Sequence, residues 1–490
     1  MSRILILGMS PMPFENERKV YGTGIRTWQF ALPLLESGHE ICVANYCIPS
    51  AYDNNFSSLL NKKQEYGGHE FTYNLLASYD FENISVMQKI FFDFAPDCVI
   101  GCTFYPSYIA SKLISVLPKE KEVPFWADLF GHVMAEAQAR AFMDASDDCL
   151  FHYWNSEFNI LTSADIFSCV SGRQAHALTG ELGAAGRLNM FTSGYDFSRV
   201  IPCGMPDEDF IHDKKVLRGF HGIKDEDFVV LWTGGYNTWT DTDTLYEGLI
   251  KAMSQNPKIK FVSTGGEIPE QDIKTYPHFL KLIESGDFKS NFIMNGWIDG
   301  KDVPNYYFEA DIGINIDKDI YEVRLGSKNR ILDWMRAGLC VLSSNVCELT
   351  EIMEREKTGY TFKTHDPQDL AKKLIYLSEN KSEAANTAQK GKLYGRRYYN
   401  FTSTMQEMLK WAGNPVFASD KYKEKKIFFE KEEALKNCSG IIENQKQMIS
   451  GKDERIRELE AFLNKNFIHR TFAYMKAAKR KLRKKNISQN

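Results

Sequence analysis

Three things are missing from this 490-residue chain, and each absence closes off a class of function. None of the ten cysteines sits in a CxxC pair. Cys98 and Cys102 stand apart from histidines and from the other thiols, so neither a zinc ribbon nor a dithiol redox centre is legible. Scattered single thiols in a chain this size suit a reducing compartment. No apolar run approaches the ~20 residues that cross a bilayer. The opening "MSRILILGMS" is too short for a secretory leader and lacks a cleavage signature, so it reads as a buried strand. The expectation is a cytoplasmic protein, free to lie peripherally on the cytoplasmic face of a membrane. Acid is missing from the end of the chain: nothing after Glu460 is acidic, while residues 461–490 hold nine Lys or Arg. The overall charge of −4 thus hides an acidic body with a basic tail. An acidic body speaks against nucleic acid as a partner.

What is present is an alternation. Apolar runs "RILILGM" (3–9), 41–46, "PDCVIGCT" (96–103), "VPFWADL" (123–129) and "DIFSCVS" (165–171) are separated by helical patterns. A Pro/Gly cluster, "VIPCGMPDED" (200–209), reads as a linker. The theme then restarts at "FVVLWTGGYN" (228–237) and runs through 258–266, 291–298, 310–316 and 339–344. Strands alternating with helices predict parallel sheets covered on both faces. The reading is α/β, with two doubly wound Rossmann-like domains facing a cleft and a C-terminal helical extension. The expected boundaries are 1–205, 206–395, a closing helix at 396–414 returning toward the first domain, helix or coiled coil at 415–465, and a basic amphipathic tail at 466–490.

The segment 319–342, "DIYEVRLGSKNRILDWMRAGLCVL", crowds Arg324, Lys328 and Arg330 around an expected helix start, with Ser327 as a fair N-cap. Cations are disfavoured at a helix N-terminus. A bound anion reverses that penalty, because free N–H groups and the dipole already favour a phosphate there. Glu322 and Asp333 add carboxylates suited to ribose or sugar hydroxyls.

This segment, with its acidic loop, basic helix start and "RAG" before an apolar strand, resembles the donor-binding segment of retaining GT-B glycosyltransferases, in particular the bacterial surface-polysaccharide branch of family 4, or group 1. Asp333 falls where that family places the second of two glutamates. The position eight residues earlier is Leu325, and the nearest acid is Glu322. "YGTGIRTWQFALPLLESGHEI" resembles the family's N-terminal glycine loop and first helix. "FVVLWTGGYNTWTDTDTL" resembles the start of its donor domain, without the usual Arg and Lys. The resemblance implies a glycosyltransferase that moves a sugar, such as a hexose, from a nucleotide-diphosphate sugar to a saccharide or lipid-linked acceptor, with retention of configuration. It implies donor or nucleotide binding by Gly22, Gly24, Gly234, Gly235, Trp239, Asp241, Arg324, Ser327, Lys328, Arg330 and Asp333. It implies catalytic roles for Asp128, His132 and Glu322: Asp128 orienting an acceptor hydroxyl or steadying the sugar cation, His132 bonding the sugar. No cofactor and no metal are expected. Asp241 and Asp243 spell the metal-binding DxD of another glycosyltransferase fold, but their place at a helix start suits a cap. The alternatives are a nucleotide-sugar epimerase of the same layout, or an inactive sugar-binding scaffold working through its coil.

From Phe428 an apolar residue recurs every seventh position, at Leu435, Ile442, Ile449, Ile456 and Leu463. That is one seam of a coiled coil and a route to a homo-oligomer. Beyond it, Ile468, Phe472, Met475 and Leu482 share a helical face among Arg470, Lys476, Lys479, Arg480, Lys481, Arg483, Lys484 and Lys485, a pattern suited to a membrane surface.

Overall fold

The computed structural model describes the chain apart from residues 16, 18, 53–55, 270, 424–425 and 488–490, and apart from the side chains of 426–429 and 483–487. The side chains of Phe428, Arg483, Lys484 and Lys485 thus lie outside the described residues. Two compact units divide the chain, Met1–Tyr422 and Lys423–Asn490.

The first unit holds two sheets. The strands of the first are β1 (Arg3–Ser10), β2 (Glu40–Cys47), β3 (Leu59–Tyr66), β4 (His69–Leu76), β5 (Cys98–Gly101), β6 (Phe125–Leu129), β7 (Ile166–Cys169) and β8 (Ser198–Val200). Their order is β3-β4-β2-β1-β5-β6-β7-β8. The second sheet comprises β9 (Phe228–Thr233), β10 (Ile259–Thr264), β11 (Phe292–Met294), β12 (Ile312–Asn315), β13 (Cys340–Ser344) and β14 (Tyr360–Phe362). Its order is β11-β10-β9-β12-β13-β14, parallel throughout. The continuous apolar runs follow from this topology. A strand such as Phe228–Thr233, buried at every residue, has helices over both faces and no polar side to alternate with. Each sheet accordingly separates two apolar clusters.

The antiparallel β3–β4 hairpin is absent from the sequence reading. Strand β3, "LLNKKQEY", is exposed along most of its length and shows no apolar face. Its one signal is the Gly67-Gly68 turn, where both residues have positive φ. The extension also differs. Residues 415–422 are not helical and pack on the first sheet's domain. Asp420 forms a buried pair with Arg187 at 2.9 Å, and the Ala418 N–H donates to Asp165. Just before them, Phe401, Met405, Met408 and Trp411 join the cluster around Trp28 and Trp126.

The second unit is one helix, Lys426–Ile487, with no break at the expected boundary near 465. Leu435, Ile442, Ile449, Ile456 and Leu463 are each more than half exposed along it. No helix among the described residues is long and apolar enough to cross a membrane.

Candidate functional site

In an open α/β sheet, ligands bind at the carboxyl ends of the strands, where the strand order reverses. In the second sheet that point lies between β9 and β12. Strand β9 ends at Thr233, and Gly234 turns the chain at φ +83°. A Cβ on Gly265, after β10, would meet the Gly234 carbonyl, and one on Gly235 would meet Ile268. These glycines let two strand-end loops lie almost in contact.

Strand β12 delivers Asn315 and Asp317, then the short helix Tyr321–Leu325, then the helix Asn329–Ala337. The N-cap of that helix is Lys328, in extended conformation, and not Ser327. Ser327 instead lines a cavity of ≈ 220 Å³ with Pro202 and Tyr399. Lys328 is buried. Its Nζ lies 3.7 Å from Asp317, 3.9 Å from Glu322 and 5.2 Å from the centre of the Trp239 ring. Burial works against its charge, but Asp317 and Glu322 outweigh that and raise its pKa. Neither contact is close enough for a hydrogen bond, so the ammonium keeps donors to offer. The Arg330 guanidinium stacks 4.0 Å over Trp232 and donates from Nη2 to the Gly235 carbonyl at 3.2 Å. Its Nη1 is buried with no partner. Carboxylates and indole faces thus offset part of the cost of cations at this helix start.

Arg330 Nη1 belongs to a wider set. Asn237 Oδ1, Thr264 Oγ1, Asn295 Nδ2, Asn315 Oδ1 and Glu322 Oε2 are also buried without hydrogen bonds. Thr264 and Asn315 are the last residues of β10 and β12, and Asn295 follows β11. Unpaired buried polar atoms are few in native proteins and call for an explanation. Here they gather along one edge of one sheet, where a polar ligand would pair them. Sequence reasoning passed over Asn237, Thr264, Asn295 and Asn315. The available signal was a polar residue closing, or just following, an otherwise apolar strand.

The first domain faces this edge with the N-terminus of the helix Gly22–Glu36. A Cβ on Gly22 would lie 2.8 Å from Asn329 Nδ2, and Tyr21 packs edge-on against Trp297. Gly22 therefore sits opposite the basic helix start. Gly24 does not: a Cβ there would collide with the Pro11 carbonyl, so this glycine serves packing within its own domain. The two domains are further joined by Ser171 Oγ, which donates to the Leu325 carbonyl at 2.6 Å. Glu348 accepts from the N–H groups of Gly172 and Arg173.

Burial pushes Glu322 up to about 7, partly opposed by Lys328. Asp333, inside the helix Asn329–Ala337, is pushed up to about 6 by burial against the pull of Arg336. It lies beside Tyr307, which is hydrogen-bonded to Thr233 at the end of β9.

Four expectations need correction. Asp128 is fully buried in a two-bonded pair with Arg26, at 2.7 and 3.0 Å, and accepts from Ser168 Oγ at 2.6 Å. No oxygen is left for an acceptor hydroxyl. His132 caps the helix Val133–Asp144, its Nδ1 accepting from the Ala135 N–H, and its Nε2 lies 2.8 Å from Glu181. The ring is thus turned to its own domain, not to a bound sugar. Glu157 completes a His132–Glu157–Glu181 cluster. A cation on Nε2 would need the ring proton on Nδ1, where the cap hydrogen bond has no room for it. Arg324 is exposed and turns its Nε/Nη2 edge to Asp319, at 2.6 and 2.9 Å. Asp241 caps the helix Thr242–Gln255 and pairs with His365, while Asp243 pairs with His278, so the two carboxylates have separate partners.

Residues 227–380 match the family described as Glycosyl transferases group 1. No curated protein matches. Among solved structures, sucrose-phosphate synthase from Thermosynechococcus elongatus has a TM-score of 0.61 at 15% identity, covering 84% of this chain and 98% of that one. Anabaena HepE in complex with UDP and glucose gives 0.58 at 12%, covering 84% and 100%. The Escherichia coli trehalose-6-phosphate structure bound with UDP-2-fluoro glucose gives 0.59 at 9%, covering 85% and 100%. The strand-end site thus lies within the segment that matches Glycosyl transferases group 1, and the fold around it is the GT-B fold of these structures.

Proposed function

We propose that the protein transfers a sugar from a nucleotide-diphosphate sugar to a saccharide or lipid-linked acceptor, with retention of configuration. The observation that carries this reading is the pairing of Lys328 with Arg330 at the β9/β12 switch point: a buried ammonium and a half-buried guanidinium, both with unused donors. A diphosphate would pair with both. Each charge-assisted hydrogen bond gained contributes ~1.5–3 kcal/mol. The same donors act in the chemical step. As the glycosidic bond breaks, negative charge grows on the leaving phosphate, and preformed donors in a water-poor site stabilise it more than they stabilise the intact donor. Gly22 and the helix start behind it form the opposing wall. Glu322, close to half-protonated near neutral pH, is placed to hydrogen-bond a sugar hydroxyl.

The complexes of HepE with UDP and glucose and of the E. coli protein with UDP-2-fluoro glucose make uridine and a hexose the first donor to try. The test is thermal stabilisation by a panel of nucleotide-diphosphate sugars, followed by transfer to a saccharide acceptor. The anomeric configuration of the product would then be read by proton NMR. Stabilisation by one nucleotide, turnover with the corresponding sugar and an unchanged anomeric configuration support the proposal. An inverted product removes the retaining part. Conversion of the donor to its epimer without transfer identifies an epimerase instead. No stabilisation by any nucleotide would leave the scaffold reading standing.

A further inference from the structure

The helix Lys426–Ile487 carries two apolar stripes, the second wider than the first and centred to one side of it. The first is the seven-residue series ending at Leu463. The second begins at Phe467 and Ile468. At ~100° per residue, Phe467 lies about 40° from Leu463, and the centre of the second stripe lies about 60° round the helix from the mean direction of the first. A coiled coil keeps one seam with only slow drift, and the next two positions of the seven-residue series are Arg470 and Ala477, so that seam ends at Leu463.

The second stripe has its own character. Phe467, Ile468, Phe472, Tyr474, Met475 and Leu482 are each more than half exposed. On a helical wheel they fill one arc of roughly 160°. Arg470, Lys476, Arg480 and Lys481 fill the rest. Lys479 falls inside the apolar arc, where its long aliphatic stem can lie along the surface with the ammonium turned outward. No acid occurs anywhere in 461–490.

We infer that the segment 466–482 is an in-plane binding surface for an anionic lipid bilayer. A wide apolar arc with aromatic residues enters the acyl boundary, and the cationic arc meets the headgroups. Neither feature alone holds a protein firmly, while the two together do. Pairing with a second copy along this stripe would bring two all-cationic segments together. A nucleic acid would use the cations and leave the aromatic arc in water.

The test is co-sedimentation of the full-length protein with vesicles of phosphatidylglycerol and phosphatidylcholine in equal parts, and with phosphatidylcholine alone. The charge variant is Lys476→Glu with Arg480→Glu; the apolar variant is Phe472→Ser with Met475→Ser. The control, Ile449→Ser with Ile456→Ser, alters the other stripe. Expected are binding to the anionic vesicles only, weakening by about ten-fold or more in each of the first two variants, and no change in the control. Circular dichroism of each variant reports helix content separately. Overturning results are full-length protein that ignores anionic vesicles, equal binding by the Phe472/Met475 variant with helix content kept, or loss of binding in the control alone. A protein that leaves vesicles unbound and retains RNA through the same cations overturns it as well.

Discussion

Arg26 and Lys328 are both buried cations at the faces of the two domains, yet they stand in opposite states. Arg26 meets Asp128 through two bonds, the Ile201 and Pro202 carbonyls through two more, and Gln29 through a fifth. Nothing is left over. Lys328 has two carboxylates near it at 3.7 and 3.9 Å and an indole face, and makes no hydrogen bond to either acid. Its neighbour Arg330 leaves a nitrogen bare. A satisfied buried charge belongs to the fold, and an unsatisfied one points to a missing ligand. The contrast moves the functional weight from the first domain, where Asp128 and His132 are spent on structure, to the strand ends of the second.

The sharpest way to break the contrast is to remove Arg26. Arg26→Met strands the Asp128 charge in a fully buried place. Breaking a buried pair from one side costs about 3–5 kcal/mol. The urea midpoint should fall accordingly, and nucleotide binding at low temperature should persist in whatever fraction remains folded. A stable Arg26→Met protein that no longer binds nucleotide would place Arg26 in the site and undo the comparison.

Next is Glu322. Its folded value of about 7 lies above the ordinary 4.5, so the folded state holds the proton more tightly. Folding stability therefore declines as pH rises from ~4.5 to ~7, and the full penalty, at most ~3 kcal/mol, is present above that. Glu322→Gln removes the titration. The variant should match the parent near pH 4.5, gain stability steadily to neutrality, and hold a constant advantage beyond. A stability difference that does not change across this range would mean the carboxylate is charged throughout, paired with Lys328.

Lys328→Ala should weaken binding of the cognate nucleotide diphosphate by ~10- to 150-fold, the loss of one charged hydrogen bond of ~1.5–3 kcal/mol. Isothermal titration reads it. The urea midpoint should move much less than in Arg26→Met. Unchanged affinity would show that the loosely held ammonium is not waiting for phosphate.

The two-sheet layout was legible because buried parallel strands have no polar side: "FVVLWT" and "RILILGM" can hardly be anything else. The basic helix start was legible because its cost demanded an explanation. What stayed hidden was pairing between residues far apart in the chain. Asp128 follows an apolar run, as a catalytic carboxylate would. Only the fold brings Arg26, 102 residues away, onto both its oxygens. The cluster Asn237, Thr264, Asn295 and Asn315 was invisible for the converse reason. No two of these residues are close in sequence, and lone polar residues at strand ends are common. Likewise 415–422 looked like the start of the long helix until Asp420 met Arg187.

Arg324 gives the smallest effect and the finest test of the comparison, because sequence alone set it beside Lys328 and Arg330. It stands one short helix before them, and its guanidinium turns outward to Asp319, with nearly half its side chain exposed. An exposed ion pair contributes roughly 0–1 kcal/mol. Arg324→Ala should therefore change the unfolding free energy, read from urea titration, by less than ~1 kcal/mol and leave nucleotide affinity within about two-fold, a shift of ~0.4 kcal/mol. The result is informative when set beside Lys328→Ala under the same conditions. If burial and unspent donors mark the ligand cations, one lysine matters and an arginine four residues earlier does not. If Arg324→Ala loses as much affinity as Lys328→Ala, the Asp319 pair opens when ligand arrives. Charge near the helix start, and not its burial, would then be what selects the phosphate.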